Sequence, residues 1–264
     1  MHPLLFQLGP IPVHTYGFLV AIGFLSSVFT IRRLAAKANL PVERILDLTF
    51  WCFLVGFAGA RLLFVLTRWE TFLADPLAIF KIWEGGLVFF GGIMTALPFG
   101  IWYLKKYQLP VWKVMDTTLP GLTIAHMFGR FGCLSAGCCY GKPTGTDFGI
   151  RLNSDLVDPA FRGILLHPTQ LYEAVSLLIL FATLIWLFPR KKFDGQVALT
   201  YFLAYPVIRS IIEIYRGDLI RGFVIPDVLS TSQFISLLVF IGAAVAMKVR
   251  LDQVQKVPVG KARK

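Results

Sequence analysis

Apolar stretches long enough to cross a lipid bilayer recur along the whole of this 264-residue chain. In hydrocarbon, backbone N–H and C=O groups find no water, so a run of about 20 apolar residues is committed to a helix that satisfies them internally. Seven such runs are read, at residues 11–31, 46–66, 87–104, 111–131, 168–188, 197–215 and 233–247. Composition agrees: 56% of residues are hydrophobic, 16% are charged and mean hydropathy is +0.68. The expected fold is an all-α polytopic membrane protein with seven transmembrane helices, forming a single membrane domain over residues 1–264. The first charged residue is Arg32, after the first run. No basic leader precedes that run, which is therefore read as the first span and not as a cleavable signal peptide.

A net charge of +11 would suggest a nucleic-acid partner in a soluble protein, so the placement of the charges decides its meaning. Of the 26 Lys and Arg residues, 16 fall after spans one, three and five or in the tail, and seven fall on the opposite side. The remaining three, Arg61, Arg130 and Arg209, lie inside spans. The positive-inside rule then puts the N-terminus outside and the C-terminus in the cytoplasm. The charge is an orientation signal and an attraction to anionic lipid; no nucleic-acid partner is expected. Residues 133–166, rich in Gly, Pro and Asp, are expected to form a small extramembrane cap between spans four and five, and residues 248–264 a basic cytoplasmic tail.

With that orientation, the unusual polar residues fall in the outer half of the bundle: Arg61, Arg130, Arg209, Glu213, His14, Tyr16, His167, Gln170 and Glu173. Asp116, near the inner end of span four, is the exception. An ionised arginine in a bilayer interior is costly, and its planar fork suits phosphate oxygens. Three fixed cations sharing one outward-opening, partly dry cavity point to an anionic lipid. Gly85–Gly86 and Gly91–Gly92 are read as small residues that let helices approach closely.

Four cysteines do not form a disulfide framework, since Cys52 lies in an apolar run and Cys133, Cys138 and Cys139 crowd into seven residues. Cys133 could close a small loop with Cys138 or Cys139 in an oxidising compartment. A zinc site would need further ligands at suitable spacing, so neither a metal nor any other cofactor is expected.

Six local patterns, in order along nearly the full chain, resemble the prolipoprotein diacylglyceryl transferase family. They are Tyr16-Gly17; Gly59-Ala60-Arg61; Trp83-Glu84-Gly85-Gly86 through Gly91-Gly92; Gly129-Arg130-Phe131-Gly132 with Gly137; His167-Pro168-Thr169-Gln170-Leu171-Tyr172-Glu173; and Arg209, Glu213 and Arg216. The resemblance implies an enzyme of the bacterial cytoplasmic (inner) membrane. Such an enzyme moves the diacylglyceryl group of phosphatidylglycerol onto the lipobox cysteine of a preprolipoprotein signal peptide, leaving a thioether and releasing glycerol phosphate. By position, Arg130 and Arg209 would bind the lipid phosphate, Arg61 would pair within the bundle, and Tyr16 and Glu173 would shape the site. Gly91, Gly92, Gly137, His167, Gln170 and Glu213 complete the implied substrate-binding set.

The chain departs from the family pattern in places that matter chemically. Phe90 stands where the family motif has a histidine, and a phenyl ring accepts no proton. Cys133, Ala136 and Cys138 replace two asparagines and a glutamate. His126, one helical turn before Arg130, is the expected substitute base, with Glu173 and His167 behind it. Two other classes fit the sequence: a relative that binds anionic lipid or signal peptide without chemistry, and an anionic-lipid transporter. The second would favour an internal repeat, which is not seen.

Overall fold

The computed structural model describes residues 4–8, 11–81, 85–217, 222–225 and 228–256. Trp83, Glu84, Arg221 and the last eight residues of the expected basic tail lie outside these. Among the described residues eight α-helices carry the architecture: α1 Thr15–Lys37, α2 Val42–Thr67, α3 Trp69–Ala74, α4 Phe89–Lys106, α5 Val111–Ala136, α6 Thr169–Leu187, α7 Gln196–Tyr215 and α8 Thr231–Lys256. Helix α3, with the 3₁₀ turn Pro76–Phe80, occupies the connection after span two.

Among the described residues, five helical segments are long and apolar enough to cross a membrane: α1, α2, α6 extended to Arg190, α7, and Thr231–Gln255 of α8. They leave large apolar side chains on their outer surfaces, among them Leu62, Ile179, Trp186, Leu238 and Val245, as expected where lipid tails are the solvent. Helices α4 and α5 are not in this group, and their composition explains why. Helix α4 carries Pro98, three glycines and two terminal lysines, and α5 carries Asp116, Pro120, four threonines or serines, His126 and Arg130.

The all-α expectation needs a small addition, since the described residues include three two-stranded antiparallel sheets. Strands β1 (Leu4–Leu8) and β2 (Ile11–His14) pair, so the first helix begins at Thr15 and not at residue 11. Pro12 lies within β2, where a two-stranded sheet accommodates a residue without an N–H. Strands β3 (Ile150–Arg151) and β4 (Leu165–Leu166) lie within the expected cap, and β5 (Phe223–Ile225) pairs with β6 (Leu229–Ser230). The cap begins later than expected, because α5 continues to Ala136. It has its own small core of Tyr140, Leu152, Val157 and Leu166, with Ile150 and Phe161 packed against it.

The chain divides into two compact units, residues 31–114 and residues 1–30 with 115–264. In the first unit α2 and α4 pack closely because their facing positions lack side chains. A Cβ on Gly91 would overlap the Gly59 carbonyl, and one on Gly92 would sit 3.1 Å from the Gly56 carbonyl oxygen. Thr95 locks the pair by donating to the Val55 carbonyl across the interface, 3.0 Å.

In the second unit, α5, α6 and α7 share a core of Ile124, Met127, Ala174 and Leu177, covered by Phe128, Phe131, Phe181 and Tyr205. Asp116 joins α5 to the start of α7. Its fully buried carboxylate accepts from the backbone N–H of Gly195 (2.8 Å) and Ala198 (2.9 Å) and from Lys191 Nζ (2.8 Å). Helix α7 has no capping side chain of its own, and its orphan N–H groups and positive dipole end are met by this distant carboxylate. The polar outlier of span four is thus a structural latch. Burial works against the charge of Lys191, but hydrogen bonds to Asp116 and Asp194 outweigh it and raise the ammonium above its ordinary range.

Candidate active site

The functional side chains of the second unit come from three helices whose local sequence places them one turn apart. His126 and Arg130 are separated by four residues on α5, Tyr205, Arg209 and Glu213 by four each on α7, and Glu173 projects from the first turns of α6. Residues at i and i+4 of a helix share a face, so α5 and α7 each present a column of polar groups. Glu173 is where the columns meet.

Glu173 is 1% exposed and accepts from the Tyr205 hydroxyl, 3.1 Å. Arg130 Nε stands 3.3 Å from the same carboxylate oxygen and His126 Nε2 3.6 Å from it. Arg130 donates to His126 Nε2 from Nε (3.1 Å) and Nη2 (3.0 Å), an arrangement in which that nitrogen accepts. The ring packs edge-on against Tyr205, centroids 5.4 Å apart, and Tyr205 stacks on Tyr201. Arg209 is within electrostatic reach of both Glu173 and His126. One carboxylate therefore faces two guanidiniums.

Arg209 is the least satisfied of these groups. It is 6% exposed, and its Nη2 makes an ion pair with Glu213 Oε2 at 2.5 Å. Among the described residues, however, neither Nη1 nor Nη2 has an aligned hydrogen-bond acceptor. A buried cation with unspent donors is costly, and a ligand that accepts from them relieves that cost. An oxyanion fits.

The remaining expected site residues take other parts. Tyr16 lies over α5 where Gly132 leaves room, since a Cβ there would touch its ring at 2.9 Å. Gly137, at φ 78°, ends α5: the N–H of Cys138 returns to the Cys133 carbonyl and that of Gly137 to Leu134, a Schellman closure. Gln170 Nε2 donates to the Cys138 carbonyl, 2.7 Å, and Thr169 Oγ1 to the Cys139 carbonyl, 2.8 Å, while Gln170 Oε1 is buried without a partner among the described residues. His167 Nδ1 meets the Tyr172 hydroxyl at 3.2 Å, and its ring packs against Tyr215. The His-Pro-Thr-Gln segment thus grips the turn that follows Arg130.

Arg61, expected to pair within the bundle, finds its partners in backbone carbonyls. It belongs to the first unit, and all five of its N–H donors point to backbone carbonyls: Nε to Ile79 (2.9 Å), Nη1 to Gly85 (2.6 Å) and Gly86 (3.0 Å), Nη2 to Ala78 (2.7 Å) and Lys81 (3.4 Å). The guanidinium gathers these carbonyls of the irregular connection between α3 and α4; that of Ala78 also accepts from the Lys81 N–H, 3.1 Å. Gly91 and Gly92 are packing residues of the α2–α4 contact, and Phe90 is 54% exposed.

Sequence reasoning missed Tyr205 and Tyr201. The signal was available, because Tyr205 lies one turn before Arg209 on the same face of α7. It also missed the convergence of the three cysteines, whose sulfurs all lie within 4.8 Å of one another. The Cys139 thiol is drawn below its ordinary range, chiefly by hydrogen bonds from Cys133 and Cys138 and then by the nearby Arg216 and Arg130.

Fold and site together define a multi-pass membrane protein whose helices bury an arginine-rich polar network suited to an anion. Residues 3–249 match the model of one family, prolipoprotein diacylglyceryl transferase. The chain belongs to that family. It is 34% identical over 241 residues to the phosphatidylglycerol–prolipoprotein diacylglyceryl transferase of Clostridium tetani, covering 91% of this chain and 94% of that one. It is 32% identical over 243 residues to the corresponding transferase 2 of Clostridium perfringens, covering 92% and 93%. A relative from Synechococcus elongatus is 30% identical over 225 residues, 82% of this chain and 77% of the other.

Proposed function

We propose that this chain transfers the diacylglyceryl group of phosphatidylglycerol to the lipobox cysteine of a preprolipoprotein, with the phosphate held between Arg130 and Arg209. The observation that carries the site assignment is the unspent hydrogen-bonding capacity of buried Arg209 beside a network that already contains Arg130. In the reaction the cysteine sulfur bonds to the glyceryl carbon, the C–O bond to phosphate breaks, and glycerol phosphate departs with the electron pair. Charge grows on the departing oxygens, and preorganised guanidiniums in a water-poor site stabilise it without reorganising.

The thiol must also lose its proton, since a free cysteine is only a few per cent ionised at neutral pH. His126 Nε2 is the acceptor in this reading. Arg130 donates to this nitrogen; when Arg130 turns toward phosphate the lone pair is released, so lipid binding and base activation are one event. Glu173, anchored by Tyr205, orients both groups. The helices α4 and α5 complete a seven-span bundle with the N-terminus outside and the C-terminus in the cytoplasm, placing the chemistry in the outer half of the bacterial inner membrane. Arg61, with its donors spent on carbonyls, serves by fixing its connection and not by holding phosphate.

The test is turnover by the full chain in detergent with labelled phosphatidylglycerol and a lipobox peptide. A thioether product that falls about 100-fold to 1,000-fold in Arg209→Gln supports the reading. Lipid binding without any product in the wild type would leave a lipid-binding relative in its place.

A further inference from the structure

Three thiols stand close together at the end of α5. Their convergence is built by backbone. The Schellman closure at Gly137 folds Cys138 back over Cys133, and its Sγ lies 3.7 Å from the Cys133 carbonyl oxygen. Cys139 then adopts φ 62°, a left-handed conformation that a residue with a Cβ holds only when its surroundings impose it. The surroundings are the side chains of Thr169 and Gln170, which take the carbonyls of Cys139 and Cys138. This is why a spacing that looked wrong for metal ligands in the sequence produces a cluster in space.

The sulfurs lie within 4.8 Å of one another. A tetrahedral ion with metal–sulfur bonds of about 2.3 Å needs neighbouring sulfurs about 3.8 Å apart, within reach of small side-chain rotations. A disulfide would engage two of the three and leave the third as a bystander, whereas a cation engages all of them. Charge also fits, because Arg130 and Arg216 stand within electrostatic reach of Cys139 and Arg130 within reach of Cys133. Three thiolates around a divalent ion carry a net charge of −1, which these guanidiniums offset.

We propose that Cys133, Cys138 and Cys139 form a three-thiolate site for one thiophilic cation of the Zn²⁺ class, seated on the turn that follows Arg130. Soft sulfur ligands select such ions over Mg²⁺ or Ca²⁺. On binding, three S–H groups release three protons to the buffer and three metal–sulfur bonds form, with no change of oxidation state. The proposal stands independently of the transfer reaction.

The experiment uses the full chain in detergent, reduced with a phosphine and stripped with a chelator, then titrated with Cd²⁺ while the thiolate-to-metal charge-transfer absorption is followed. One ion per chain is expected, with Zn²⁺ competing for the same site. Cys139→Ser should weaken binding more than about 100-fold, beyond what loss of an outer-shell partner costs, and Cys52→Ser should leave it unchanged. A measurement on the wild type guards against variants that do not fold: Zn²⁺ should protect Cys133, Cys138 and Cys139, but not Cys52, from iodoacetamide. Absence of the absorption band, its persistence in a Cys133/Cys138/Cys139→Ser triple variant, equal alkylation with and without Zn²⁺, or a Cys133-to-Cys138/139 disulfide that persists under phosphine would each overturn the proposal.

Discussion

Arg61 and Arg209 are buried to nearly the same degree, 8% and 6% exposed, yet they are opposite in what they have left to give. Arg61 spends every donor on the carbonyls of an irregular connection. Arg209 meets one carboxylate of its own helix and keeps guanidinium nitrogens without an aligned acceptor among the described residues. Burial therefore does not distinguish a structural arginine from one awaiting a ligand. Residual hydrogen-bonding capacity does, because an unmet buried donor costs free energy that only a partner removes.

The largest effect should fall on the Arg209 side of this contrast. His126→Gln should lower transfer to a lipobox peptide by about 100-fold to 10,000-fold, the range for loss of a general base, while lipid binding persists. Full turnover in that variant would remove His126 from the chemistry and leave Glu173 or His167 as acceptor. Next in size, Arg209→Gln should cost about 100-fold to 1,000-fold in rate with little change in thermal midpoint. If it instead unfolds the protein while the folded fraction turns over normally, the contrast with Arg61 collapses.

On the other side, Arg61→Met should destabilise by about 3 kcal/mol, since several carbonyls lose a charged donor, yet transfer per folded molecule should hold near the wild-type value. Calorimetry beside single-turnover kinetics separates the two readouts. The smallest effect is expected for Tyr205→Phe, which deletes one hydrogen bond to Glu173: about 1 kcal/mol, or less than tenfold in rate.

Much of this was legible beforehand. The apolar runs marked every long helix to within a few residues at most ends, and the i, i+4 spacing of His126 and Arg130 already put them on one face. Other features were hidden for identifiable reasons. The strand pair before α1 is a local hairpin, with Leu8 opposite Ile11, in an apolar stretch whose composition suits a helix as well. Asp116 looked like an isolated polar intruder until its acceptors were seen to cap α7, some 80 positions away in sequence. The partners of Arg61 could not be read beforehand, because loop carbonyls, which every residue carries, leave no trace in a sequence.

The order of the amino acids by itself determined that this chain forms long apolar helices suited to a membrane, and that the arginines buried among them must be answered by hydrogen-bond acceptors. Those conclusions need only the cost of bare peptide groups and ions in hydrocarbon, which each segment carries locally. Which arginine is already satisfied, which carboxylate gathers the others, and whether three thiols meet were decided by tertiary structure alone. They depend on distances of a few ångströms between groups far apart in the chain, or on the handedness of a single turn.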